Sequence, residues 1–287
     1  MERIDPDKLN RDELLALARW YADMGVDCAI SEDSVDRFAE SARAASAQPA
    51  SRSRPPLRRE NGDAPAPPPP RVEFRPGAAP APVPPDQAAL SAREAAAAAK
   101  SLAELEAALN AFDGCALKRT ASRLVFADGN SEAKIMFVGE APGADEDRQG
   151  KPFVGRAGQL LDRMLAAIGL DRTSVYIANA VPWRPPGNRT PTPQETQICL
   201  PFIRRQIELC NPSVLVCLGG SAAQTLLGGK DGIMRMRGRW FEYAIDDDRT
   251  IPALAMLHPA FLLRSPIRKR DAWKDMLALK KKFETLA

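Results

Sequence analysis

Lys134-Ile135-Met136-Phe137-Val138-Gly139-Glu140-Ala141-Pro142-Gly143 is the stretch that decides the fold. Four large apolar side chains in a row run into a turn built of Gly and Pro. A strand with one wet face would carry a polar residue at every second position. This one carries none, so both its faces are expected to be covered. Val175–Val181 and Ser213–Gly219 repeat the signature, and two further strands are expected near Arg239–Ala244 and Ile251–Leu257. Between the strands, Ala157, Leu160, Leu161, Met164, Leu165 and Ile168 recur at helical spacing. Other helices are predicted over Pro193–Leu209, Ser221–Leu227 and Lys269–Leu286. Covered strands alternating with helices predict a three-layer α/β/α domain around a central, mostly parallel sheet. In such sheets ligands bind beyond the carboxyl ends of the strands.

The segments that leave those ends are therefore the informative ones. No G-x-x-x-x-G-K-[ST], G-x-G-x-x-G or G-x-S-x-G occurs in them, which argues against a phosphate-binding loop, a dinucleotide site and a hydrolase elbow. Glu140 and Glu146-Asp147 place carboxylates on the first turn, where one can act as a general base or position a water. His258, the only histidine, follows the last strand and precedes Pro259. Phe153 reads either as core or as a platform for a flat ring. Asn179 carries an amide able to read the edge of a base. Gly219-Gly220-Ser221 opens a helix, so Gly220 and Ser221 offer free N–H groups to a phosphate.

Outward from this domain the composition changes. The chain has 287 residues and a net charge of +3, with 45% apolar residues, enough for a real core. No run of 18 apolar residues exists, and no apolar segment follows the acidic start, so neither a membrane span nor a secretory leader is expected. Five scattered cysteines suit a reducing cytosol, and one histidine excludes a multi-His metal site. Residues 1–42 carry 5 basic and 11 acidic side chains and one amphipathic helix over about 12–24, expected either to dock on the domain or to bind a partner. Residues 43–86 are expected to be a disordered linker: 13 prolines fall between Pro49 and Pro85. Its seven arginines fit a soluble spacer or a salt-sensitive nucleic-acid tether. The domain then spans 87–287, opened by a helix over 91–111.

Five collinear motifs in this domain resemble the family 4 uracil-DNA glycosylases: Gly139-Glu-Ala-Pro-Gly143, Gly150-Lys-Pro-Phe-Val-Gly155, Val175-Tyr-Ile-Ala-Asn179, Arg184-Pro-Pro-Gly-Asn-Arg-Thr-Pro191 and His258-Pro-Ala-Phe-Leu-Leu-Arg264. The resemblance covers about Phe112 to Ala287. It implies excision of uracil from DNA in base excision repair, by a cytoplasmic, nucleoid-associated monomer. It implies that Gly139 and Ala141 line the base pocket and that Phe153 stacks on the flipped uracil. Asn179 would bond the uracil edge and His258 would donate to O2. Gly220 and Ser221 would meet a phosphate, and Leu262, Leu263 and Arg264 would form a loop wedged into the gap left by the base. Where family 1 has an Asp this chain has Ala141, so Glu140 or Glu146 must serve the water. Apart from Lys151, no lysine near the first motif is suited to Schiff-base chemistry, so strand cleavage is not expected.

The chain departs from the family at the four cysteines that carry a 4Fe–4S cluster there. Phe112 stands three before Cys115, and Trp183 precedes Arg184-Pro185-Pro186, so only Cys115 and Cys199 remain. Two thiolates do not hold a cubane, and no cofactor or metal is expected. The rival to an enzyme is a catalytically silent DNA- or uracil-binding repair module of the same fold. A rival of a third kind is a nucleosidase, against which the charge near the last motif argues. From Arg264 to Lys282 eight basic residues face Asp271 and Asp275. A repair or replication protein is the expected partner of the N-terminal helix if that helix does not dock on the domain.

Overall fold

The computed structural model describes residues 85–285 apart from Asp247, and Arg11 besides. The expectations for 1–42 and for most of the linker lie outside the described residues. The long first helix predicted over 91–111 is two helices, α1 (Pro85–Ala98) and α2 (Leu102–Ala111). Ser101 breaks it. Its hydroxyl accepts the Glu104 N–H at 3.2 Å, and the Glu104 carboxylate accepts the Lys100 N–H at 2.8 Å. The Ser-Leu-Ala-Glu sequence is a capping signature, and it outweighs the Ala-rich propensity on either side.

The sheet follows as β1 (Asp128–Gly129), β2 (Ile135–Gly139), β3 (Tyr176–Asn179), β4 (Val214–Leu218), β5 (Trp240–Ala244) and β6 (Thr250–Met256), in the order β1-β3-β2-β4-β6-β5. The four central strands are parallel, and the short β1 and the edge strand β5 run antiparallel to them. The register sets Gly139 directly opposite Asn179. Helices α3 (Ala144–Gln149), α4 (Arg156–Ala166), α5 (Pro193–Cys210), α6 (Gly220–Leu227), α7 (Ile233–Met236), α8 (Pro259–Arg264) and α9 (Lys269–Glu284) complete the described fold.

The continuous apolar runs have the meaning the sequence gives them. On β2, Ile135 and Phe137 pack with Leu161, Leu165, Met276 and Leu279 of α4 and α9 on one face. Met136 and Val138 pack with Ile203 and Ile207 of α5 and with Ala223 and Leu226 of α6 on the other. A third core lies between α1, α2 and α5, where Ala88, Ala92 and Ala96 present a small-residue face to the longer helix. Four parallel strands thus deliver four chain ends to one edge of the sheet: Glu140, Asn179, Gly219 and Leu257-His258.

Candidate active site

A cleft of about 550 Å³ opens at that edge, lined among others by Glu140, Ala141, Glu146, Phe153, Asn179, Thr190, Gly220, His258 and Arg264. Four turns that are distant in sequence meet there because parallel strands end side by side. Gly139 makes the floor possible: a Cβ at that position would lie 2.5 Å from Asn179 Oδ1 and 2.6 Å from the Phe153 ring. Asn179 is buried, and among the described residues its amide makes no hydrogen bond, so its polar atoms are left for whatever enters the cleft. Phe153 belongs both to the core and to the cleft wall. Its ring stacks on the His258 imidazole with centroids 5.5 Å apart and planes at 29°.

His258 caps α8. Its Nδ1 accepts the Ala260 N–H at 3.1 Å, which leaves the ring proton on Nε2. Burial, and after it the charge of Arg264, push the imidazole pKa down to about 4. Near neutral pH the ring is therefore uncharged, with Nε2–H as the donor left for the cleft. Leu262, Leu263 and Arg264, expected to form a loop, lie instead in the short helix that this cap starts.

The two glutamates are separated by their partners. Glu146 lies in the first turn of α3, not on a loop. One of its oxygens accepts the Gly143 N–H at 3.1 Å, and the other accepts those of Val154 and Gly155 at 3.0 and 2.9 Å. Asp147 accepts the N–H groups of Ser122 and Arg123. Among the described residues Glu140 has no such backbone engagement. Burial raises its pKa above the ordinary carboxylate range, and the Thr190 hydroxyl beside it offsets part of that rise. Thr190 reaches the cleft from the 184–191 loop, and no periodicity in the sequence marks it. A second groove of about 640 Å³ shares Glu140, Thr190 and Gly220 with the cleft and adds Ser221. Ser221 thus lines the groove and not the base cleft.

One wedge candidate is displaced. Leu262 is 1% exposed and packs with Leu257 and Ala272 beneath α8. A side chain so placed has no surface to insert between bases. Leu263, 37% exposed, and the exposed Arg264 face outward from the same turn and remain available.

The four positions at which the resembling family ligates a cluster do converge. Phe112, Cys115, Trp183 and Cys199 share the α1–α2–α5 core. The two sulfurs are 3.9 Å apart and both are fully buried. Trp183 and Phe112, at 2% and 8% exposure, fill the remaining space, and Phe112 meets Phe202 edge-on at 5.1 Å. Two of the four positions thus hold aromatic rings that fill the volume and offer no ligating atom, so these residues do not fit a cubane. Among the described residues no three His, Cys, Asp or Glu side chains are grouped to hold a metal ion. Cys210 and Cys217 stand elsewhere in the core, their thiols pushed up to about 12 by burial.

Residues 126–278 match the Uracil DNA glycosylase superfamily. A type-4 uracil-DNA glycosylase of Archaeoglobus fulgidus is 44% identical over 165 residues, which cover 56% of this chain and 82% of that protein. A type-4 uracil-DNA glycosylase of Thermotoga maritima is 43% identical over 152 residues, 53% of this chain and 77% of that one. A type-5 uracil-DNA glycosylase of Pyrobaculum aerophilum is 34% identical over 114 residues, 34% of this chain and half of that protein. The superfamily match runs from before β1 into α9 and so contains the whole cleft, from Glu140 to Arg264; the chain belongs to the uracil-DNA glycosylase superfamily.

Proposed function

We propose that this protein hydrolyses the N-glycosidic bond of uracil in DNA, leaving an abasic site for base excision repair. The observation that carries the reading is the His258 cap: its Nδ1 is held by a backbone N–H, so the neutral ring keeps a donor at Nε2. When the bond from C1′ to N1 breaks, the electron pair goes to the base, and the anion spreads onto O2. A preorganised neutral donor aimed at that oxygen stabilises charge as it develops. A protonated ring would bind the anion too, but the site disfavours that charge at rest.

The base leaves the DNA stack to reach the cleft, at a cost of a few kcal/mol. Stacking on Phe153 and hydrogen bonds to Asn179 offset part of that cost, and Leu263 and Arg264 fill the gap behind the base. Water adds at C1′ and loses a proton to a carboxylate. Glu140 takes this role, because the oxygens of Glu146 are already committed to three backbone N–H groups. Glu146 holds the turn. The protein acts without an iron–sulfur cluster, since Phe112 and Trp183 replace two of its ligands, and it acts as a monomer in the cytoplasm, where its DNA is.

The test is an oligonucleotide carrying one uracil, incubated with full-length protein without added metal and then treated with alkali. Strand breaks only after alkali, and none with thymine in the same place, are expected. Binding of the uracil strand without base release would overturn the enzymatic reading in favour of a silent binding module.

A further inference from the structure

We infer that Arg172, outside the cleft, is a positioning residue that holds Phe153 in the conformation that presents its ring to the base. The inference rests on the proposed glycosylase reading. Phe153 has φ +54°, a left-handed conformation that an aromatic residue rarely adopts. Four backbone groups of the turn around it are held by two charged side chains. Glu146 accepts the N–H groups of Val154 and Gly155. Arg172 donates to the carbonyls of Pro152, at 3.2 Å, and of Phe153.

The guanidinium is itself fixed by two carboxylates from different elements, Asp128 of β1 at 2.7 Å and Asp162 of α4 at 2.8 Å. Gly158 completes the arrangement, since a Cβ there would lie 1.6 Å from the Phe153 carbonyl oxygen. Only a planar fork satisfies two carbonyls and two carboxylates at once. Lysine keeps the charge but brings a single nitrogen. The ring of Phe153 lies against both His258 and the Gly139 floor, so a turn that relaxes moves the stacking surface out of register with the imidazole donor.

The experiment is a double-mutant cycle in the full chain. Arg172→Ala and Phe153→Ala are each expected to lower the single-turnover excision rate by about 10²-fold, the cost of a small misplacement. The double variant is expected within about threefold of Phe153→Ala alone, because the two act through one ring. Arg172→Lys should melt close to wild type while keeping most of the Arg172→Ala rate loss. It should also exchange the Val154 and Gly155 amide protons faster than wild type does. Additive losses in the cycle, or full rate in a folded Arg172→Lys variant, overturn the inference. The exchange measurement needs no activity: unchanged protection in Arg172→Lys overturns it even where wild type excises nothing, an outcome that would count against the glycosylase reading alone.

Discussion

The cleft at the strand ends and the core around Trp183 meet at one residue, Ala141, which lines the first and packs against the second. They obey different rules. In the cleft each polar side chain has a particular atom to serve, and the directions are fixed by backbone bonds, as at His258 and Glu146. In the core around Trp183, two positions at which the resemblance implies cluster ligands hold a Phe and a Trp. The contrast teaches that chemistry needs a donor at a given point, whereas a packed core needs only side chains whose volumes fit. Hydrogen bonds are directional and lose their value within fractions of an ångström. Dispersion and hydrophobic burial scale with area and tolerate exchange.

The strongest way to break this comparison is at the imidazole. His258→Ala is expected to slow single-turnover excision by about 10²–10³-fold, as for one lost oxyanion donor, with little change in DNA affinity. Equal rates for variant and wild type would remove the site from the cleft. The same ring has a stability signature. Its folded pKa of about 4 lies below the ordinary 6.5, so its contribution is present above pH 6.5 and lost as pH falls towards 4. Urea midpoints measured across that window should fall less steeply for His258→Gln than for wild type.

Next in size are the two glutamates. Glu140→Gln should slow the chemical step by about 10²-fold. It should also remove the acidic limb of the pH–rate profile, which burial places above the ordinary carboxylate range. Glu146→Ala should lower the melting temperature by releasing three backbone N–H groups, and should slow excision as well, because two of those groups belong to the turn that carries Phe153. A full-strength pH limb surviving in Glu140→Gln would transfer the water to another group.

In the other region the order reverses. Trp183→Ala should cost about 3–5 kcal/mol of stability, read by urea denaturation, while excision at a permissive temperature stays within a few-fold. Anaerobically purified protein should be colourless and active, with iron well below one atom per chain. About four irons per chain would show that other cysteines complete a cluster. The smallest effect is expected from removing residues 1–84. Excision on a short oligonucleotide should stay within a few-fold, because the described domain starts with α1 and every cleft residue follows Gly139. Extending the deletion through Ala98 should destabilise the domain, since Ala88, Ala92 and Ala96 pack on α5.

By itself the sequence determined the layers and the place of the site. Strand runs such as Ile135–Val138 are apolar throughout because both faces are covered, and that property needs no knowledge of neighbours. It also marked Glu140, Phe153, Asn179 and His258, since short motifs at strand ends keep their residues together. Ser101 with Glu104 three residues on carries a helix-start signal that splits the first helix, and Glu146 three residues after Gly143 carries one of the same kind. Only the tertiary structure showed that the Glu146 oxygens are committed to backbone N–H groups, placed Leu262 in the core, and brought Arg172 to the Phe153 turn from 19 residues away. It also gathered Phe112, Cys115, Trp183 and Cys199 into one core. The physical reason is that a residue type states what bonds a side chain can make. Which of them it has already made depends on backbone groups and carboxylates that only the folded chain brings within 3 Å.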